Sequence, residues 1–134
     1  MTSILYQEIY QQPEIVRMFL ATQQDHVSKI AAKIFDHKIS HIVVAARGTS
    51  DNAARYAQYL FGANNRISVA LATPSLYTLY ETPPTLRDAL VIGISQSGRS
   101  PDIVSVIETS RRQGQPTLAI TNVPDSPLAQ GSPS

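Results

Sequence analysis

The chain has 134 residues, 43% hydrophobic and 16% charged, a composition typical of one globular domain. Its net charge is +1 and its Lys and Arg residues are scattered, so no nucleic-acid partner is expected. The absence of cysteine excludes disulfides and thiolate nucleophiles and agrees with a cytoplasmic location. No apolar run approaches the roughly 20 residues that cross a bilayer, and the N-terminus lacks signal-peptide features, so no membrane association is expected.

The N-terminal third has the periodicity of helices. After Pro13, residues 15–19 contain one apolar face and residues 27–34 contain a second, both at helical spacings of three and four. We therefore assign residues 1–40 to N-terminal helices. Their apolar faces also predict self-association, with a homodimer as the expected oligomer.

The rest of the chain alternates strand-like and helical segments, which predicts βαβ units and a parallel sheet. Strands are predicted at residues 41–46, 67–72, 89–94 and 117–121, and helices at residues 50–61, 75–80 and 101–112. Ser50 is expected to cap the first of these helices and Gly62 to end it, while Ser100 and Pro101 begin the last. Residues 41–122 thus form a βαβ core, and residues 123–134 are predicted to be an irregular tail.

Two turns stand out if the sheet has the common strand order 2-1-3-4-5, because ligands then bind between the first and third strands. Turns 47–50 and 95–100 are rich in hydroxyls, and each enters a helix N-terminus that favours an anion. The candidate phosphate donors are Thr49, Ser50, Ser95, Gln96, Ser97 and Ser100. Gly48 and Gly98 allow close backbone approach. The pattern predicts a site for phosphate or a phosphorylated small molecule, although Ser50 or Ser100 alone is equally well explained as a helix cap.

Other kinds of site are not indicated. Neither a G-x-G-x-x-G nor a P-loop motif is present, and the three histidines lack metal-ligand spacing, so no cofactor and no metal are expected. No catalytic residue can be assigned. Arg47 and Arg99 are expected to be exposed or paired with acidic groups rather than to bind the phosphate. Asp51 and Asp102 are expected to interact with helix dipoles.

The two turns resemble the signature of the SIS (sugar isomerase) domain family. The matching segments are residues 47–56, 95–98 and 100–102, with further agreement at residues 8–13, 118–122 and 125–129. The resemblance covers residues 6–130 and is strongest to the first SIS domain in the isomerase half of glutamine–fructose-6-phosphate aminotransferases. It implies an α/β fold, a flavodoxin-like three-layer sandwich with helices on both faces of a parallel sheet. Four strands of that sheet are readable, and the fifth is expected to be missing.

The resemblance also implies a ligand. Family members hold hexose 6-phosphates or amino-sugar phosphates, such as fructose 6-phosphate or glucosamine 6-phosphate, with the Ser-Gln-Ser loop and the Gly-Thr-Ser turn. Carried across by position, the phosphate-binding residues are again Thr49, Ser50, Ser95, Gln96, Ser97 and Ser100. Arg99 stands where members often carry Glu. The groups that perform isomerisation belong to a second SIS domain and a C-terminal tail, so this chain is expected to be truncated and to bind without completing catalysis.

Three other roles stay open. The chain is also compatible with an amino-sugar-phosphate deaminase or isomerase of the free-standing double-SIS type. It is compatible with a sugar-phosphate-sensing domain of a transcriptional regulator, although residues 1–40 contain no basic recognition helix. A small isomerase whose sites form across subunits is the third, and the lack of Glu, His or Lys in either turn disfavours it.

Overall fold

The computed structural model describes residues 3–131. It divides into two compact units, Met1–Asp36 and His37–Ser134. In its described residues the first unit contains one helix, α1 (Ile4–Asp36), with Pro13 inside it, where the sequence pattern predicts separate helices. The segment contains no glycine and many good helix formers, so the helix tolerates the one backbone hydrogen bond that Pro13 cannot make.

The second unit contains four strands and four helices within the described residues. In chain order they are β1 (His41–Ala46), α2 (Thr49–Asn65), β2 (Ser68–Leu71), α3 (Ser75–Thr78), β3 (Ala89–Ile94), α4 (Pro101–Arg112), β4 (Thr117–Ile120) and α5 (Pro127–Gln130). The bounds of β1, β3 and α4 match the sequence prediction. The other two strands are shorter than predicted by one or two residues.

The sheet is parallel throughout and has the order β2-β1-β3-β4, as the sequence predicts. Its central pair, β1 and β3, is in register over six residues, from His41↔Ala89 to Ala46↔Ile94. The carboxyl ends of these strands therefore lie side by side. The chain passes from β1 to β2 at one edge of the sheet and from β3 to β4 at the other edge. Because both crossovers are right-handed, α2 and α4 lie on opposite faces of the sheet.

The core of the second unit follows from the alternation of side chains along the central strands. Val43 and Val91 pack with Ile103, Val106 and Ile107 of α4. The alternate residues of the same strands, among them Ile42 and Val44, are buried on the other face of the sheet. Apolar side chains on both faces explain why these strands have the near-continuous hydrophobic sequence of a covered parallel sheet.

The boundaries of α2 differ from the sequence prediction. Gly48 is the N-cap residue, with no side-chain cap, so Ser50 lies inside the first turn and does not cap the helix. Gly62 does not end the helix, which continues to Asn65 and terminates at Arg66 in the left-handed conformation. A mid-helix glycine costs only about 1 kcal/mol relative to alanine, an amount that neighbouring residues offset.

The segment predicted to be an irregular tail contains the short helix α5. Ser126 is its N-cap and accepts a hydrogen bond from the Ala129 N–H, and Pro127 occupies its first turn. Ser126 and Leu128 are fully buried. The prediction was therefore wrong for residues 126–130, which belong to the folded core, while residues 132–134 lie outside the described part of the chain.

Candidate functional site

A cavity of about 520 Å³ opens at the carboxyl ends of β1 and β3. Its position is the point where the strand order reverses, which is where open parallel sheets bind ligands. The lining residues are Arg47, Thr49, Ser50, Ala53, Ile94, Ser95, Gln96, Ser97 and Ser100. The structure thus brings all six residues predicted to bind phosphate to one cavity.

The turn after β1 forms one side of the cavity. Gly48 has a φ of +59° and precedes the first residue of α2, Thr49. The Asp51 N–H donates to the Gly48 carbonyl at 3.1 Å, which closes the turn. Within residues 3–131, the hydroxyls of Thr49 and Ser50 have no protein hydrogen-bond partner. Their hydroxyls and the unpaired N–H groups of the first helical turn are therefore available to a ligand.

The turn after β3 forms the other side. Ser95 is buried, and its Oγ lies 3.2 Å from the Oγ of Ser100. Ser100 is the N-cap residue of α4 as predicted, but its side chain does not cap the helix. The Gly98 N–H donates to the Ser95 carbonyl at 3.1 Å, and the Arg99 N–H donates to Ser97 Oγ at 3.3 Å. These bonds give the loop a defined conformation at the start of a helix, where the dipole favours an anion.

The charged residues around the cavity form ion pairs. Arg47, which lines the cavity, pairs with Asp102 in the first turn of α4, so the two turns are joined by opposite charges. Asp51 pairs with Arg55 one turn further along α2, at 2.9 Å. This ion pair agrees with the expectation that Arg47 is exposed or paired with an acidic group. The Arg99 side chain is exposed and does not line the cavity.

The cavity contains donors but no general base. None of its nine lining residues is Asp, Glu, His or Lys. Within residues 3–131, no group of three or more His, Asp or Glu side chains is arranged to hold a metal ion. None of the helices in that range has the length and apolar content needed to cross a membrane. The arrangement can orient an anionic ligand, and its lining residues supply no side chain suited to moving a proton.

Two residues to which the sequence pattern assigned no role in the site contact the turn after β3. Thr121 Oγ1 donates to the Gln96 carbonyl at 3.2 Å, and Ser126 packs against Gly98. Both lie after β4. They are distant in sequence from the turn, and their contacts depend on the fold.

The chain matches the family model of the SIS domain over residues 33–133. Among curated proteins, it is 34% identical over 130 residues to a glutamine–fructose-6-phosphate aminotransferase (isomerizing) of Bradyrhizobium diazoefficiens. That alignment covers 93% of this chain and 21% of the relative. The chain therefore spans about a fifth of the length of the aminotransferases that it matches.

Solved structures show the same fold. The C-terminal domain of a glucosamine-fructose-6-phosphate aminotransferase from Francisella tularensis has a TM-score of 0.78 and 30% identity, over 96% of this chain and 37% of that one. A protein proposed to be a phosphosugar isomerase from Silicibacter pomeroyi has a TM-score of 0.89 and 35% identity. The match covers 94% of this chain and 38% of that structure.

Proposed function

The chain belongs to the SIS domain family, and on that basis we propose that its cavity binds the phosphate group of a sugar phosphate. The observation that carries the proposal is the convergence of six hydroxyl or amide side chains, from two separate turns, on one cavity. The cavity volume of about 520 Å³ lies within the 300–1,000 Å³ range common for small-molecule sites.

The chemistry of the lining suits a phosphate. Hydroxyl and amide groups donate hydrogen bonds to phosphate oxygens, and two helix N-termini add oriented N–H groups and a favourable dipole. Arg47 pairs with Asp102 but has five N–H donors, so it retains capacity for a ligand oxygen. We propose a hexose 6-phosphate or an amino-sugar phosphate as the ligand, with fructose 6-phosphate and glucosamine 6-phosphate as the first candidates.

The proposed role of this chain by itself is binding. Ring opening and isomerisation require a group that transfers a proton, and the nine lining residues offer no acidic side chain, histidine or lysine for this step. Conversion of fructose 6-phosphate in the presence of ammonia by this chain alone would contradict a binding-only role. The predicted cytoplasmic location and the predicted extent of the SIS domain, residues 1–134, stay predictions.

The binding proposal is tested by ligand-dependent stability. Fructose 6-phosphate or glucosamine 6-phosphate at 100 times its Kd should raise the free energy of unfolding by about 2.7 kcal/mol. Ser97→Ala should reduce this stabilisation, because it removes a hydroxyl that lines the cavity. Ser68→Ala, at an exposed serine of β2, is the matched control and should respond like wild type. An absence of stabilisation by either sugar phosphate would contradict the proposal, as would an unchanged response in Ser97→Ala.

We also propose that the chain self-associates through α1, with a second copy as the partner. Twelve large apolar or aromatic side chains of this helix are at least half exposed, and no residue of the helix is buried. Aromatic residues bury about 150–250 Å² each, so such a helix can supply the roughly 800 Å² per partner of a stable interface. Light scattering should show a dimer for wild type and for Gln24→Glu, and a monomer for Phe19→Glu. A monomeric wild-type chain would contradict self-association.

A further inference from the structure

The turn after β3 is held from outside the cavity by the segment that follows β4. The Gln96 carbonyl accepts hydrogen bonds from Thr121 Oγ1 at 3.2 Å and from the Asn122 N–H at 3.1 Å. The Gly98 carbonyl accepts from the Leu128 N–H at 3.0 Å. Two carbonyls of the Gln-Ser-Gly sequence are therefore fixed by three donors, all of which come from residues 121–128.

This arrangement determines the direction of the intervening N–H group. The peptide bond between Gln96 and Ser97 is trans, so its C=O and N–H point in opposite directions. Because the carbonyl is directed at Thr121 and Asn122, the Ser97 N–H is directed away from them. Within residues 3–131 this N–H has no protein acceptor. The bonds that turn the carbonyl outward thus leave a main-chain donor free for an anion.

Ser126 completes the contact by close packing. A Cβ placed on Gly98 would lie 2.1 Å from Ser126 Oγ, 2.4 Å from its Cβ and 2.9 Å from Thr121 Oγ1. Ser126 is fully buried and is held by its bond from the Ala129 N–H at 3.3 Å. The backbone of the turn and the start of α5 are therefore in contact with no space between them, and Gly98 cannot shift toward α5.

We propose that Thr121 and Ser126 are positioning residues for the phosphate loop: they hold turn 95–100 in the conformation that presents the Ser97 N–H to the ligand phosphate. This inference rests on the proposed function. Neither residue lines the cavity, so each acts through the backbone of Gln96 and Gly98 and not on the ligand itself. The loop is thereby fixed before the ligand arrives, and binding does not need to order it.

The first test compares Thr121, which directly follows β4, with Thr117, the first residue of β4. Thr121→Val removes the hydroxyl that donates to the Gln96 carbonyl, and Thr121→Ser keeps it. Thr117→Val is the matched control, since Thr117 is buried at the far end of the strand and its hydroxyl has no partner in the described part of the chain. Affinity for fructose 6-phosphate and for inorganic phosphate is measured by calorimetry on the full chain.

We expect Thr121→Val to weaken binding of both probes about tenfold, the effect of losing roughly one hydrogen bond. Thr121→Ser should stay within about twofold of wild type, and Thr117→Val should bind like wild type. Equal affinity in wild type and Thr121→Val would overturn the positioning role and leave the proposed function intact. If the wild-type chain binds neither probe, the proposed function and the positioning role both fail.

A second measurement uses the wild-type chain and does not depend on a variant that folds. Without ligand, the Gly98 amide should already exchange slowly, because its N–H is bonded to Ser95 in a loop that is fixed in advance. Added inorganic phosphate should slow exchange of the Ser97 amide and leave the Gly98 amide unchanged. Fast exchange at Gly98 that slows only with phosphate would show that the ligand orders the loop, which would overturn the inference.

Discussion

The glycines of the two cavity turns share a positive φ but differ in their surroundings. Gly48 and Gly98 have φ values of +59° and +62°, a region that other residues adopt only with strain. A Cβ on Gly48 would meet no atom within 4 Å, whereas a Cβ on Gly98 would overlap Ser126. The first glycine is therefore required by the backbone angle alone, and the second by both the angle and the packing.

This difference leads to a prediction for the two alanine variants. Gly48→Ala should lower the free energy of unfolding by about 1–3 kcal/mol, because its positive φ with a ψ of −133° is a region that residues with a Cβ rarely adopt. Gly98→Ala should lower it by about 1–3 kcal/mol more, because overpacking against Ser126 adds to the strain of a positive φ. Urea denaturation measures both losses. Equal losses in the two variants would contradict the close contact between Gly98 and Ser126.

The sequence predicted the lining residues of the cavity but not the residues that hold the loop. The lining residues follow apolar strands and precede helices, as Thr49, Ser50 and the donors of turn 95–100 do. This local pattern predicts that they lie at one edge of a parallel sheet. Thr121 and Ser126 contact the loop from 25 or more residues away. No local periodicity encodes such a contact, since it exists only after β4 and α5 pack beside β3.

At the level of elements, two residues that usually end helices did not end them here, for a physical reason. Pro13 and Gly62 are unfavourable inside helices, yet α1 and α2 continue through them because each single penalty is offset along a long helix. The start of α5 was readable. Ser126 followed by Pro127 repeats the cap-and-proline pattern of Ser100 and Pro101 that correctly located the start of α4. The helix was missed because α5 is too short to show a periodic pattern and its surroundings are rich in Pro and Ser.

The packing of α4 on β3 depends on a third glycine. A Cβ on Gly93 would lie 2.9 Å from Cγ1 of Ile107 and 3.1 Å from Cδ1 of Leu128. Gly93 therefore permits α4 and α5 to lie directly against the central strand. The same strand leads directly into turn 95–100 at its carboxyl end.

A double-mutant cycle tests this packing. Gly93→Ala should cost about 1–3 kcal/mol in the wild-type chain, because the added methyl overlaps Ile107. The same substitution should cost less in an Ile107→Ala background, where the overlapping atoms are absent, so the two effects should not add. Thermal or urea unfolding of the four chains provides the measurement. Strictly additive losses would indicate that Gly93 and Ile107 are not in contact.

At the scale of the whole molecule, core and site occupy different parts of one sheet. Every buried apolar residue among residues 3–131 lies between Ile42 and Leu128, in the second unit. The central strands supply the core along their length and the cavity turns at their carboxyl ends. The strand order alone brings the turns after β1 and β3 together. The location of the cavity therefore follows from the predicted strand order. The contacts that hold the turn after β3 were not predictable from the strand order, because they also involve α5, which follows the last strand.

The global stability should depend on alkaline pH through a buried tyrosine. Tyr77, in α3, belongs to the core, and burial raises the pKa of its phenol above the ordinary value of 10.0. The folded state therefore favours the protonated phenol. Its contribution to stability is fully present below pH 10 and is lost as the pH rises through the pKa of the folded state.

Tyr77→Phe cannot ionise, so its free energy of unfolding should fall less than that of wild type between pH 9 and pH 11, measured by urea denaturation at each pH. Tyr59→Phe, at a residue that is 79% exposed, is the control and should follow the wild-type curve. If wild type and Tyr77→Phe lose the same stability across this range, the phenol is solvated in the folded chain and α3 does not pack into the core as described.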